Sequence, residues 1–269
     1  MYRAIESDSA LVRDYMNAHK RFGPDIYDRI NRREVRRNSP LGKEFEAFHA
    51  SLAEKIERIR RQHTDTTASD QRDLLFGAQL ARNIAVLPRY CGERWPFAAV
   101  SLRDSLMAEN LMHLIDRQYP GEKVVIWAHN IHIGRSWSDA KLSDIHTQEF
   151  AWATNRLDRA TRMMGEYLDE RYGDAEYAIG LYMASGSYET IKGEKLRVRP
   201  PRRDSVEYLL RDPQTAAVYL DLTRTTDGSG YDWKRASSRG QVGSNWYSIV
   251  PGDQFDGLIV VSRATIPLQ

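Results

Sequence analysis

Two histidines, in His129-Asn-Ile-His132, follow directly on the apolar run Lys123-Val-Val-Ile-Trp-Ala128. An imidazole changes charge near neutral pH, so such a pair suits proton transfer, a hydrogen bond to a developing oxyanion, or metal ligation. The competing reading is that both rings only satisfy backbone groups of a loop. Their place raises the first reading, because ligands of open α/β sheets bind in the crevice outside the carboxyl ends of the strands.

Two further groups belong to the same argument. Arg103 and Asp104 sit near the start of the helical segment that precedes this run. An arginine on a helix face is ordinarily a solvated charge, and its position just upstream of the histidines makes Arg103 a candidate for stabilising negative charge. Glu6 follows the strand-like Tyr2-Arg-Ala-Ile5, with Asp8 two residues on. Asp8 reads as the cap of a helix beginning near Ser9, which leaves Glu6 to orient an imidazole or polarise a water. His19, His49, His63, His113 and His146 occur singly and read as ordinary surface or core, and Arg32-Arg33 with Arg36-Arg37 reads as a solvated helix face. No Gly-x-Ser-x-Gly elbow, phosphate-binding glycine loop or His-Glu-x-x-His is present, so serine hydrolase, P-loop and zincin chemistry fall away.

The elements that must hold these groups change texture near residue 120. Apolar residues recur at helical spacing over 41–62, where Phe45, Phe48, Leu52, Ile56 and Ile59 form one stripe, and again over 70–90 and 101–119. Ser101 is expected to cap the third helix and Pro120-Gly121 to stop it. The run 123–128 reads as a parallel strand buried on both faces. A helix over 157–171 leads to a strand over 177–183, then a polar, basic stretch over 184–203. A short helix capped by Asp204 and strands over 216–220 and 257–261 complete the chain. Strand, helix, strand, helix, strand predicts an α/β fold: three layers, a mostly parallel sheet flanked by helices, with a helical insertion in the N-terminal half. The reading is one domain over 1–269 with a helical subdomain at about 24–95. The stretch 184–203 and the loop 221–246 have the length to cover a cleft.

Composition narrows the partners. Of 269 residues 41% are hydrophobic and 28% charged, a globular mix, and 39 Lys and Arg against 37 Asp and Glu give no charge reason to bind nucleic acid or an anionic membrane. Cys91 stands alone, so no internal disulfide or thiolate zinc cage forms, which fits a reducing compartment. No apolar run approaches the ~20 residues of a membrane span, and the first residues lack the apolar core of a signal peptide, so the expected address is the cytoplasm.

The motifs together resemble those of a known family. Ser101-Leu-Arg-Asp-Ser-Leu-Met-Ala-Glu-Asn110 and Pro120-Gly-Glu-Lys-Val-Val-Ile-Trp-Ala-His-Asn-Ile-His132 are similar to signatures of the erythromycin esterases. Met164-Gly-Glu-Tyr-Leu168, Tyr177-Ala-Ile-Gly180 and Phe255-Asp-Gly-Leu-Ile259 agree as well. The resemblance implies an α/β fold with a deep cleft and metal- and cofactor-independent, water-mediated hydrolysis of a small-molecule ester or lactone, as in macrolide resistance. It implies cleft positions for Glu6, Arg103, His129 and His132. The family's glycine–glutamate…histidine–glycine motif, with its general-base histidine, has no counterpart here and is expected to be missing with an N-terminal strand and helix. Two alternatives stay open: a shortened homologue that binds a small molecule with little or no catalysis, and a metal site on His129, His132 and Glu6.

Overall fold

The computed structural model describes residues 9–65, 67–92, 96–144, 161–189, 193–224, 237–242 and 245–265. The strand expected at 2–5, Glu6 and Asp8 lie outside these residues, as does the start of the helix expected over 157–171. The chain forms two compact units, 1–125 and 126–269.

The described elements of the first unit are helical: α1 (Ser9–Phe22), α2 (Ile26–Asn31), α3 (Pro40–Gln62), α4 (Ala68–Ala85), α5 (Leu87–Gly92) and α6 (Pro96–His113), the last continued by a π-helical turn, Leu114–Gln118. Ser39 caps α3 by accepting the Gly42 N–H, and Pro40 supplies the fixed φ of a first turn. The predicted stripe is the packed face: Phe45, Ile56 and Ile59 are buried, with Phe48 and Leu52 against them. The helix expected over 70–90 is two helices. Pro88 has no N–H to give the carbonyl of Ile84, so α4 ends and α5 begins. Ser101 is interior to α6 rather than its cap, because the helix starts at Pro96, a residue suited to a first turn.

The second unit holds the sheets. β2 (Ile179–Met183), β8 (Gly257–Val261) and β5 (Ala217–Asp221) form one sheet in the order β2-β8-β5, with β2 parallel to β8 and β5 antiparallel to it. β1 (Lys141–Asp144), β7 (Asn245–Ile249) and β6 (Ser238–Val242) form an antiparallel sheet, and β3 (Ser187–Glu189) and β4 (Lys195–Arg197) a hairpin. Short helices α7 (Asn130–Ile133), α9 (Val206–Leu210) and α10 (Pro251–Gln254) and the longer α8 (Met164–Tyr172) accompany them. The protein is therefore α/β. Its core runs through Leu258 and Val260 of β8, Tyr182 of β2, Phe255 and the ring pair Trp137–Tyr247.

Two expectations are corrected here. The segment 123–128 is no strand: Val125 is 91% and Trp127 86% exposed. An apolar run is buried on both faces only where ladder partners flank it, and no described strand pairs with this one. The cap of α9 is Ser205, whose hydroxyl accepts the Tyr208 N–H, rather than Asp204.

Candidate active site

His129 and His132 come together on one helical turn. His129 is the extended residue before α7, and its Nδ1 accepts the Ile131 N–H at 3.3 Å. The His132 N–H donates to the His129 carbonyl at 2.8 Å, closing the turn. A ring nitrogen that accepts carries no proton, so this hydrogen bond assigns the His129 proton to Nε2. Desolvation, and then the neighbouring His132, hold His129 below the ordinary imidazole range. The residue keeps an exposed face to solvent, which screens but does not reverse that direction. The neutral ring with a free Nε2–H is thus the favoured form.

The turn is fixed from beneath by Asn130, which is buried between the two histidines. Its Nδ2 donates to the Leu181 carbonyl at 2.8 Å and its Oδ1 accepts the Leu181 N–H at 2.9 Å. Next along β2 stands Tyr182, a buried phenol held well above its ordinary range by burial and then by Glu207. Glu207 itself is fully buried, accepts the Gln241 N–H at 2.7 Å, and is pushed up to about 7 by desolvation. On the other side α8 presses against the turn at Gly165, where a Cβ would stand 2.5 Å from the Ile133 carbonyl. Arg135, just past the turn, grips Asp256 with both terminal nitrogens and donates to the Glu176 carbonyl at 3.0 Å. Gln254 donates to the Ser136 carbonyl at 2.7 Å, and Glu166 accepts the N–H of Ser138 and of Met163. The histidines therefore stand on a turn supported mainly by buried polar side chains, Asn130, Glu166, Glu207 and Gln254 among them.

Of the four residues singled out in the sequence, the described structure brings together His129 and His132. Arg103 lies exposed on α6 in the first unit, beside the buried Asp104, and Glu6 is outside the described residues. Among the described residues no three His, Cys, Asp or Glu side chains gather as a metal site requires. The supporting residues were missed by sequence reasoning. Asn130 carried a signal, since a carboxamide between two histidines is well suited to bind backbone. Tyr182 and Glu207 carried none, because an isolated acid in a polar stretch looks exposed.

Comparisons with known proteins bear on the family and the fold. The erythromycin esterase family profile matches residues 1–264. A putative hydrolase of Bacillus subtilis, YbfO, is 29% identical over 168 residues, covering 61% of this chain and 35% of that protein. Among solved structures, a Bacillus cereus protein superposes with a TM-score of 0.56 at 15% identity, covering 95% of this chain and 64% of the other. A mutant of the erythromycin esterase EreC in its open conformation gives 0.56 at 18% identity over 84% of this chain and 54% of that one. The chain thus spans well under two thirds of YbfO and EreC, and these distant structures speak for the fold.

Proposed function

Since the chain belongs to the erythromycin esterase family, matched over residues 1–264, we propose that it is a hydrolase that cleaves a small-molecule ester or lactone with water at the His129–His132 turn. The reading is supported above all by the bond from the Ile131 N–H to His129 Nδ1, which leaves Nε2–H as a donor. In this scheme His132 takes a proton from the attacking water, hydroxide adds to the carbonyl carbon, and His129 Nε2–H bonds the developing oxyanion. Collapse of the tetrahedral adduct breaks the ester C–O bond, and His132 returns the proton to the leaving alkoxide. Arg103 stabilises negative charge and Glu6 orients an imidazole or the water, as the family resemblance implies. The same reading extends the β2–β8 pair into the family's three-layer, mostly parallel sheet.

The test is a hydrolysis screen of the purified chain against macrolide lactones, simple lactones and aryl esters, beside His129→Ala and His132→Ala variants. Loss of a general base or an oxyanion donor removes about 10²–10⁴-fold of rate, so each variant should fall by at least about a hundredfold. Equal rates in all three proteins overturn the proposal.

A further inference from the structure

The described residues of the basic stretch 184–203 border a cavity. At the carboxyl ends of the parallel strands β2 and β8 the chain leaves a cavity of about 790 Å³, within the range of small-molecule pockets. Arg197, Arg199 and Arg263 line it together with the hydroxyl residues Ser185, Ser187 and Thr265, and among the described residues none of the lining is acidic.

The floor of this cavity is sewn together by the backbone. The Ala264 N–H donates to the Ser185 carbonyl at 2.9 Å, the Ser187 N–H to the Ala264 carbonyl at 3.2 Å, and the Val198 N–H to the Gly186 carbonyl at 3.0 Å. Ser185 Oγ donates to the Ser262 carbonyl at 2.7 Å. Gly186 makes the seam possible: its φ is +110° and a Cβ there would lie 1.9 Å from the Ala264 carbonyl oxygen. Arg197 pairs with Ser187 across the β3–β4 hairpin, and Arg263 follows β8 by two residues, so two arginines rise from rigid, adjacent strand ends. Neither Arg197 nor Arg263 has an ion-pair partner among the described residues. Some other arginines of this unit do pair, as Arg135 does with Asp256 and Arg239 with Asp204.

Like charges gathered around an open cavity repel one another, and a bound anion would relieve that repulsion. A guanidinium offers a planar fork of donors that matches the two oxygens of a carboxylate or a phosphate. We propose that the cavity at the ends of β2 and β8 binds a small organic molecule through a carboxylate or phosphate held by Arg197 and Arg263, with the hydroxyl residues completing the cradle. This site lies four residues beyond Leu181 along the chain and stands independently of the hydrolase reading.

Calorimetric titration of the full chain with phenyl phosphate, benzoate and neutral benzyl alcohol tests it. Saturable one-site binding of an anion, and none of the alcohol, is expected; which anion binds more tightly identifies the headgroup. Arg197→Ala and Arg263→Ala should each weaken binding about tenfold, whereas Arg224→Ala, which removes an arginine whose side chain is 87% exposed, should leave it unchanged. On the unmutated chain, the bound anion should slow phenylglyoxal modification of Arg197 and Arg263 severalfold relative to Arg224, a readout that does not depend on any variant folding. Absence of saturable binding, equal affinity in all variants, or uniform protection of every arginine overturns the proposal.

Discussion

Asn130 occupies both outward-facing backbone groups of Leu181, donating through Nδ2 at 2.8 Å and accepting through Oδ1 at 2.9 Å. A single carboxamide does here what a neighbouring strand does elsewhere in a sheet, and it does so between the two histidines of the candidate site. The position of the His129–His132 turn is thereby tied to the register of β2.

Asn130→Ala removes both hydrogen bonds and leaves two polar groups of Leu181 without partners. A loss of about 2–3 kcal/mol is expected in urea denaturation. Asn130→Asp should cost as much at neutral pH, since a carboxylate oxygen would then face the Leu181 carbonyl. Wild-type midpoints in both variants would contradict this role.

Gly165→Ala runs against the ordinary rule. In an unobstructed helix alanine stabilises relative to glycine by up to about 1 kcal/mol. At Gly165 the added methyl meets the Ile133 and Gly134 carbonyls at 2.5 and 2.7 Å, so destabilisation of about 1–3 kcal/mol and reduced hydrolysis are expected. A raised melting temperature with full activity would refute the contact.

His129 should titrate below the ordinary value of about 6.5 when followed by its ring-proton NMR signals. Replacing His132 by Ala removes the neighbouring imidazole that helps to depress it and should raise the midpoint, while desolvation keeps it below that of a free imidazole. A depressed folded value means that the unfolded chain binds the proton more readily. This contribution to stability is therefore present above about pH 6.5 and is lost as pH falls. A native midpoint at or above the ordinary value would contradict the desolvated setting of His129.

Glu207 has the opposite sign. Its folded value is raised from 4.5 to about 7, so the native state binds the extra proton and stability declines as pH rises from about 4.5 through 7. Glu207→Gln keeps an acceptor for the Gln241 N–H and carries no charge. It should match the parent protein near pH 5 and exceed it at pH 8 by up to about 3 kcal/mol. Parallel stability–pH curves for the two proteins would show that Glu207 ionises freely.

Much of this layout was readable from residue spacing, and the failures have identifiable causes. The stripe Phe45-Ile56-Ile59 and the strand Gly257–Val261 follow directly from their periods, because each element's own residues carry the pattern. Segment 123–128 misled because burial on both faces depends on what flanks a run, which its own sequence does not encode. The direction of β5 was equally hidden, since antiparallel and parallel strands share one side-chain period. Pro96, with the fixed φ of a first turn, is the start signal of its helix, ahead of Ser101. At the candidate site the two histidines stood out by type, whereas the strand end that was to place them does not form. The supports Asn130, Tyr182 and Glu207 were not legible, because a buried polar residue is recognised by its partners and those are distant in sequence.

The amide at Leu181 also has a consequence for solubility. An uncovered border of a sheet is a template on which another molecule's strand can be laid, the first step toward polymer. At this rung the template is already filled by a side chain, which offers no further rung to copy. A foreign strand approaching β2 would have to evict Asn130 before gaining its first central bond, so the residue that steadies the histidine turn also terminates the ladder against self-association.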